Sequence, residues 1–338
     1  MKKLFFFLLL SAAITDSLFA QEGATLLNNF QESSEPEDQS WAICQDGYNT
    51  MLFANRRGIM TFDGQKWDFV MMPAVPYSLS YSDSDNRVYA GCDNNYGYLE
   101  KDDKGFYHFV SLAGDSAAVG LISRIILTDS TVWFYSESSI SRHNLKTGVL
   151  EKRFENKGGK LFTGMFLTAK NAFINVSSIG LHRVEADTLF PIVTGYLTMN
   201  ETVLFSMPHD ARQVLLGLGN STLKLFDGIK YYDYNIHDEG YLADNILSDG
   251  IAVSDSLYAF STLNGGCIVV DRKTGKLIST INYQNGLPDD EVYAISSDNQ
   301  LGLWISHQYG LSRAALKLPA GNFSIYPGLS GNLTTSLF

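Results

Sequence analysis

The chain has 338 residues, of which 45% are hydrophobic and 13% aromatic, with 29 Gly and 8 Pro. This composition is typical of a globular protein and favours β-structure with many turns, while the length alone would suggest about two domains. The net charge of −11 argues against the basic face that phosphate binding needs, so nucleic acid is not an expected partner.

The first twenty residues have the pattern of a secretory signal peptide. Lys2 and Lys3 precede the apolar run Leu4–Leu10, and small residues lead to Ala20, after which we expect cleavage. The alternative is an uncleaved membrane anchor, but the apolar run is well short of the ~20 residues that span a bilayer. We therefore predict a signal peptide over residues 1–20, export of residues 21–338, and a periplasmic location.

Pairs of apolar residues recur along the rest of the chain at nearly even spacing. The second member of each pair lies 36 to 46 residues after the second member of the pair before it. These second members are Phe53, Tyr89, Trp133, Ile174, Leu215, Tyr258 and Trp304. A period of ~40–45 residues is the length of one four-stranded blade of a β-propeller.

The surroundings of each pair repeat as well. A polar turn precedes it, a second strand usually led by Gly follows it, and an X-Gly turn such as Asp63-Gly64 or Asp227-Gly228 leads to a final strand. Small sheets of this kind bury both faces only by stacking around an axis, and no stretch shows the 3.6-residue period of a helical solenoid. The sequence therefore predicts an all-β fold: a single β-propeller over residues 21–338, with seven blades of four antiparallel strands.

Two segments bear on how the ring closes. Residues 24–30, before the first apolar pair, are a candidate edge strand against the last blade. Residues 322–338 look like the final strand of blade 7 and the opening of another unit, because Gly328-Leu329 repeats Gly286-Leu287. Either the last strand closes the ring, or the chain is the front part of a longer protein; we favour the second.

The best-preserved unit is NGLPDDEVYAISSDNQLGLWISHQYGLSR, residues 285–313. It resembles the repeat of the two-component regulator propeller, in which Gly-Leu-Pro, an Asp-x-x-Gly-type turn, a Leu-Trp-Ile strand and Gly-Leu-Ser/x-Arg recur. Residues 39–67 and 87–112 are similar to the first two blades of Bacteroidetes sensor regulators of the triple-tyrosine type. The resemblance covers residue 25 to the end, strongly in blades 1, 2 and 7 and weakly in blades 3 to 6. Where the family favours Gly-Thr after Leu-Trp-Ile, this chain has Ser306-His307.

In that family the propellers form the extracytoplasmic sensor, followed by a Tyr-rich immunoglobulin-like domain, a membrane helix and a histidine kinase or helix-turn-helix output. The resemblance thus implies an exported, ligand-sensing input module that is not itself an enzyme. Its expected ligand is a carbohydrate or envelope-derived compound, and its expected partners are downstream signalling domains, which would tether it to the membrane, or a partner protein. A homodimer is a further candidate assembly. The alternatives are a stand-alone exported propeller that binds another protein, and a glycan-active propeller enzyme.

The histidines and cysteines favour structural roles. The six histidines are scattered across the units and no pair has metal-ligand spacing, so we expect neither a metal nor a cofactor. The three cysteines match no metal site and are too few for a disulfide framework, so buried free thiols are preferred over a single pairing. The residues concerned are His108, His143, His182, His209, His237, His307, Cys44, Cys92 and Cys267.

Other candidate site residues also have structural interpretations. Paired carboxylates can perform glycoside cleavage, but Asp289, Asp290 and Glu291 adjoin a Gly-Leu-Pro turn and are expected to be solvated turn residues. The segment His237–Gly240 is predicted as a loop between blades, and Leu263–Cys267 as a hairpin turn rather than a phosphate loop.

The four tryptophans allow two kinds of role. Aromatic side chains at a propeller mouth can stack on sugar rings, but Trp133 and Trp304 occupy the repeated position and are predicted to pack between blades. Trp67 lies in the predicted outer strand and its role stays open, while Trp41 is given no role of its own. No catalytic or ligand-binding residue is assigned, and a ligand is expected at the loops that join blades around the central channel.

Overall fold

The computed structural model describes residues 25–30, 39–114, 118–156, 158–192, 201–237 and 240–316. Within these ranges the chain forms seven four-stranded antiparallel sheets, which confirms the predicted seven-bladed β-propeller. Six sheets follow chain order from the inner to the outer strand, whereas the seventh takes its outer strand from the start of the chain.

Each blade consists of four strands, named in order from the channel outward. Blades 1 to 3 are β2 (Ser40–Gln45), β3 (Met51–Asn55), β4 (Gly58–Phe62), β5 (Trp67–Met71); β6 (Pro76–Ser82), β7 (Arg87–Cys92), β8 (Asn95–Lys101), β9 (Tyr107–Ser111); and β10 (Arg124–Leu127), β11 (Thr131–Tyr135), β12 (Ser139–Asn144), β13 (Leu150–Glu155). Blades 4 and 5 are β14 (Phe162–Leu167), β15 (Ala172–Val176), β16 (Gly180–Glu185), β17 (Thr188–Pro191); and β18 (Val203–Pro208), β19 (Val214–Leu218), β20 (Leu223–Phe226), β21 (Tyr231–Asp233). Blades 6 and 7 are β22 (Leu247–Ala252), β23 (Leu257–Thr262), β24 (Cys267–Asp271), β25 (Leu277–Ile281); and β26 (Val292–Ser297), β27 (Gly302–His307), β28 (Gly310–Ala315), β1 (Leu26–Phe30). A short helix α1 (Tyr241–Asp244) and a 3-10 turn (Tyr283–Asn285) lie in connections between blades.

The second members of the repeated apolar pairs all lie in the second strand of a blade and are buried. Their exposed fractions are at most 4%, because both faces of this strand are covered by the neighbouring blades. Trp133 and Trp304 are 4% and 3% exposed, so both are core residues as predicted. The evenly spaced pattern in the sequence is thus the pattern of inter-blade packing.

The Asp-Gly turns form as expected. In blade 1 the Asp63 carboxylate accepts hydrogen bonds from the backbone N–H groups of Gln65 and Lys66 at 2.8 and 2.7 Å. Gly64 has φ of 96°, in the left-handed region that a side chain would disfavour. Each such turn fixes the register of the hairpin that it connects.

The ring is closed by the start of the chain. Strand β1 pairs antiparallel with β28 from Leu26↔Ala315 to Phe30↔Leu311 and becomes the outer strand of blade 7. This confirms the candidate edge strand and corrects the expectation that residues after Arg313 supply the final strand of blade 7. One edge of β28 pairs with β27 and the other pairs with β1, so β28 has no edge left for a further strand. Residues 322–338 themselves, like the signal peptide, lie outside the described residues.

Ser306 and His307, which depart from the family pattern, both help to close the ring. The Ser306 hydroxyl accepts a hydrogen bond from the backbone N–H of Ser40 in blade 1 at 3.0 Å. Nδ1 of His307 accepts from the N–H of Tyr309 at 3.2 Å, so the ring proton lies on Nε2, which donates to Ser312 at 2.8 Å. Ser312 in turn donates to Asn29 of β1 at 2.7 Å. These two residues are therefore structural parts of blade 7.

The signature motif of blade 7 is held together by one carboxylate. Asp298 accepts from the indole N–H of Trp304 at 3.0 Å, from Nε of Arg313 at 2.6 Å and from the backbone N–H of Gly302 at 2.8 Å. Trp304 also stacks on Phe30 of the closing strand, with ring centroids 5.2 Å apart. The motif thus specifies the turn at Asp298, the core residue Trp304 and the hydrogen bond that ties Arg313 of β28 to that turn.

The role of Trp67, which the sequence left open, is packing where strand β1 of blade 7 meets blade 1. It stacks on Phe62 with ring centroids 4.5 Å apart and lies within 6.0 Å of Phe30. The residue is 36% exposed. Its place is the outer edge of the aromatic cluster between blades 1 and 7.

The three cysteines are buried and unpaired, as preferred from the sequence. Burial raises the pKa of each thiol above its ordinary value, most strongly for Cys44 and Cys267, so all three are protonated. Within the described ranges no helix is both long and apolar enough to cross a membrane.

Candidate ligand site at the channel mouth

A cavity of about 510 Å³ lies on the propeller axis. Its walls are the inner strands β2, β6, β10, β14, β18, β22 and β26 with the residues directly next to them. A volume of this size lies within the range of small-molecule sites, and the channel is the place where the seven blades converge. The side chains of its wall therefore decide what the propeller can bind there.

The inner strands enter the channel through a ring of β-bulges. In six blades the register of the inner strand shifts by one near its start, which leaves one extra residue. In blade 3 Ser123 holds the same place, because its N–H donates to the carbonyl of Tyr135, the residue paired with Arg124. The seven residues of this bulge ring are Trp41, Tyr77, Ser123, Thr163, Leu204, Ser248 and Tyr293. Bulges re-aim side chains, and all of these except Thr163 line the cavity.

The bulge ring is chemically uneven. Its three aromatic residues, Tyr293, Trp41 and Tyr77, lie on the consecutive blades 7, 1 and 2 and form what we name the aromatic arc. Trp41 and Tyr77 are stacked with centroids 4.9 Å apart and planes at 18°. The Tyr293 hydroxyl accepts a hydrogen bond from Gln39 at 3.0 Å. On the far side the bulge ring has hydroxyl residues in blades 3, 4 and 6 and Leu204 in blade 5, so the ring is aromatic on one side and mostly polar on the other.

Residues directly after the bulges also line the cavity, and some of them contact the next blade as well. The hydroxyl of Ser78 in blade 2 donates to the carbonyl of Ile122 in blade 3, and the ring of Phe205 in blade 5 contacts Gly250 in blade 6. Blades 3 and 6 carry charged residues, Arg124 and Asp249, at this level of the wall.

Arg124 reaches past blade 4 to blade 5. Its Nη2 donates to the carbonyl of Val203 at 2.9 Å, and its guanidinium lies 6.0 Å from the ring centre of Tyr135. Blade 4 has Gly164 at the matching position, where a Cβ would lie only 2.6 Å from the Cβ of Val203. The other terminal nitrogen, Nη1, is buried and has no hydrogen-bond partner. Burial lowers the pKa of Arg124, with Tyr135 and Asp249 opposing that shift.

Asp249 faces the channel from blade 6. Its carboxylate accepts from the backbone N–H of Gly250 at 2.8 Å and of Ile295 in blade 7 at 3.3 Å. Burial raises the pKa of Asp249 to about 6, although these two hydrogen bonds and the charge of Arg124 pull it down. The wall thus holds a guanidinium with one unbonded nitrogen and a carboxylate whose pKa is raised to about 6.

The candidate residues weighed from the sequence are not gathered at this site. Asp289 and Asp290 accept hydrogen bonds from the backbone N–H groups of Glu291 and Tyr283 at 3.0 and 2.6 Å, as turn residues do. Leu263–Gly266 is the hairpin turn between β23 and β24, as predicted. The segment 237–240 lies in a connection between blades, with 238–239 outside the described residues.

The histidines are likewise dispersed. His143 contacts Tyr96 at 3.1 Å and His209 contacts Tyr258 at 3.0 Å, both as hydrogen-bonded packing residues. In the part of the chain that the structure describes, no three His, Cys, Asp or Glu side chains are grouped so as to hold a metal ion.

Sequence reasoning missed the bulge ring, Arg124 and Asp249. The aromatic arc becomes visible in the sequence only when the units are aligned on their inner strands. Trp41, Tyr77 and Tyr293 then take the same place, directly after the buried residue that begins the strand. Aligning on the second strand, as the apolar pairs suggest, blurs this position by one or two residues.

Comparison with known proteins gives a likeness in fold. No protein-family model and no curated protein matches the sequence. Among solved structures, the extracellular domain of the one-component system BT4673 from B. thetaiotaomicron is similar, with a TM-score of 0.64 and 16% identity over 86% of this chain and 40% of that one. The extracellular domain of the hybrid two-component system BT3049 from B. thetaiotaomicron is also similar, with a TM-score of 0.62 and 12% identity over 86% of this chain and 42% of that one.

Enzymes share the same fold. Virginiamycin B lyase from Staphylococcus aureus is similar with a TM-score of 0.64 and 11% identity, over 86% of this chain and 99% of that one. This chain spans about 40% of the length of the two sensor domains and nearly all of the lyase. At such identities the likeness establishes that this is a seven-bladed propeller similar to extracellular sensor domains, and it does not separate binding from catalysis.

Proposed function

We propose that this chain is an exported, ligand-binding propeller that serves as the input region of a signalling protein and takes its ligand at the channel mouth. The observation that carries the proposal is the aromatic arc, three ring side chains from consecutive blades that face an axial cavity of about 510 Å³. A soluble domain rarely leaves such residues turned toward an open space without a binding role.

Three further observations support the proposal. The blade 7 motif resembles the two-component regulator propeller, and solved sensor domains share the fold. The N-terminal pattern of Lys2, Lys3 and an apolar run predicts export. The titratable groups that line the cavity are Arg124, Asp249, Tyr77 and Tyr293, and the pKa of Tyr293 is raised to about 12 by burial and by Glu291. Among the described residues that line the cavity there is no histidine or cysteine, the usual partners in nucleophilic catalysis, which favours binding over turnover.

A ligand occupying the mouth would work by contacting residues of several blades at once. Such a ligand shifts the orientation of a downstream domain or partner only if it binds one orientation more tightly than the other. The expected ligand is a carbohydrate or an envelope-derived compound, and a stand-alone scaffold that binds a protein is the second candidate.

The test is a ligand screen that reads binding and turnover together. The exported protein is purified from cells expressing the full chain, and its new N-terminus is sequenced to locate cleavage near Ala20. Glycans and envelope fragments are screened by thermal shift, confirmed by calorimetry, and recovered to look for chemical change. We expect unchanged ligand and loss of binding in Trp41→Ala, with Trp67→Ala as the matched control outside the channel. Product formation would replace the proposal by a propeller enzyme, and a screen with no ligand would contradict it.

A further inference from the structure

Deepening the proposed function, on which it rests, we infer that the ligand of the channel mouth is a small ring compound that carries a carboxylate. Its ring lies on the aromatic arc and its carboxylate binds the guanidinium of Arg124. The sequence motif of blade 7 does not indicate a charged ligand. The inference comes from the aromatic arc and from Arg124, which line the same cavity.

The first step is the unsatisfied nitrogen of Arg124. A buried donor without a partner is costly, and more so when it is charged. Nη1 of Arg124 is in this state, while Nη2 is bonded to a neutral carbonyl of Val203 at 2.9 Å. A guanidinium binds best to a carboxylate, which can accept from two of its nitrogens at once. A site that holds this group next to a cavity is therefore prepared for an anion.

The second step is that the protein's own carboxylate does not fill this role. Asp249 is the acidic residue at the same level of the wall, but its hydrogen bonds go to the backbone of Gly250 and Ile295. The two charges influence each other, since each shifts the pKa of the other, yet they belong to blades 3 and 6. Arg124 is thus left for the anion of a ligand, and Asp249 is a further hydrogen-bond acceptor in the same cavity wall.

The third step is the position of the arc relative to the cation. Trp41 and Tyr77 lie on blades 1 and 2, and Arg124 begins on blade 3, the next blade around the ring. A ring stacked on the arc therefore has a substituent on one side directed toward blades 3 to 5. Arg124 itself lines the cavity, and its guanidinium is held by one side-chain hydrogen bond to the carbonyl of Val203.

Two sources share this chemistry, an acidic sugar and an aromatic acid, and paired probes separate them. Calorimetry at pH 7 compares glucuronate with glucose and benzoate with benzyl alcohol, using the exported full chain. We expect the acid in at least one pair to bind about tenfold or more tightly than its neutral counterpart. The pair that shows the preference identifies the source of the ring.

Variants locate the effect. Arg124→Gln should abolish the preference for the acid, and Arg124→Lys should retain part of it. Arg142→Gln is the matched control, since Arg142 lies in the same blade but pairs with Glu151 and Asp187 away from the channel. Trp41→Ala should weaken acid and neutral compound alike, because it removes the platform and not the charge.

The outcomes separate this inference from the proposed function. Equal affinity for acid and neutral compounds, or a channel ligand from the screen that has no carboxylate, would overturn the inference and leave binding at the mouth intact. A preference for acids that survives Arg124→Gln would place the anion elsewhere and overturn it too. A screen without any ligand would remove the proposed function itself.

Discussion

At the junction where β1 pairs with β28 in blade 7, polar and charged side chains are bonded to one another, whereas the two charged side chains of the channel wall, Arg124 and Asp249, have hydrogen bonds only to the backbone. His307, Ser312 and Asn29 form a continuous chain of hydrogen bonds, and Asp298 is shared by Trp304 and Arg313. In the channel wall Arg124 keeps an unbonded nitrogen and Asp249 is bonded only to backbone. Satisfied networks fix a structure, while unsatisfied groups beside a cavity are typical of binding sites.

The largest expected difference between the two regions is in the response to losing an indole. Trp304→Ala should lower the free energy of unfolding by about 3–5 kcal/mol, since it empties a core position and frees Asp298. Trp41→Ala should cost only about 1 kcal/mol, because its main contact is the stack on Tyr77 at the cavity. Urea unfolding of both variants checks this, and equal losses would mean that Trp41 is also a core residue.

The pH dependence of the junction should come from His307. Burial lowers the pKa of His307 to about 4, below the ordinary 6.5, with Asp289 opposing the shift. The unfolded chain therefore takes up the proton first, so the stabilisation is complete above pH 6.5 and is lost as the pH falls toward 4. The loss should reach about 2–3 kcal/mol.

Comparison of the wild type with His307→Gln isolates this effect from the carboxylates that titrate in the same range. The difference in unfolding free energy between the two proteins should shrink as the pH is lowered from 7 to 4. A difference that stays constant would show that His307 is not the titrating group.

Asp249 should behave with the opposite sign. Its folded pKa of about 6 lies above the ordinary 3.8, so the unfolded chain ionises first as the pH rises. Stability is therefore present at low pH and lost between about 4 and 6. Replacing Asp249 by Asn should stabilise the protein by about 1–2 kcal/mol at pH 7.5 and by little at pH 4, as measured by urea unfolding at both values.

The neighbours of Asp249 do not change this sign. Arg124 favours the ionised form, and the nearby thiol of Cys267 is neutral because burial raises its pKa. Destabilisation by Asp249→Asn at pH 7.5 would show that the ionised carboxylate stabilises the fold, and it would contradict the prediction.

The junction could largely be predicted from the sequence and the mouth could not, for a physical reason. Trp304 serves a function common to every blade, packing against a neighbour, so the repeat makes it visible. Strand β1 is recognisable because its apolar residues precede the first unit without a partner of their own. Arg124 and Asp249 break the repeat, each on a single blade, and which blades face each other follows only from closing the ring.

The smallest expected effect concerns the hydroxyl of Tyr293, which belongs to both regions. It joins the arc to Gln39, just before blade 1, by a hydrogen bond of 3.0 Å, so Tyr293→Phe keeps the ring and removes one partly buried bond. The free energy of unfolding should fall by only about 0.5–1 kcal/mol, and stacking of a ligand ring should be retained. Unfolding and ligand titration on the same preparation test this together. A large loss of stability would mean that the arc is part of the closure, because blades 7 and 1 meet at both places.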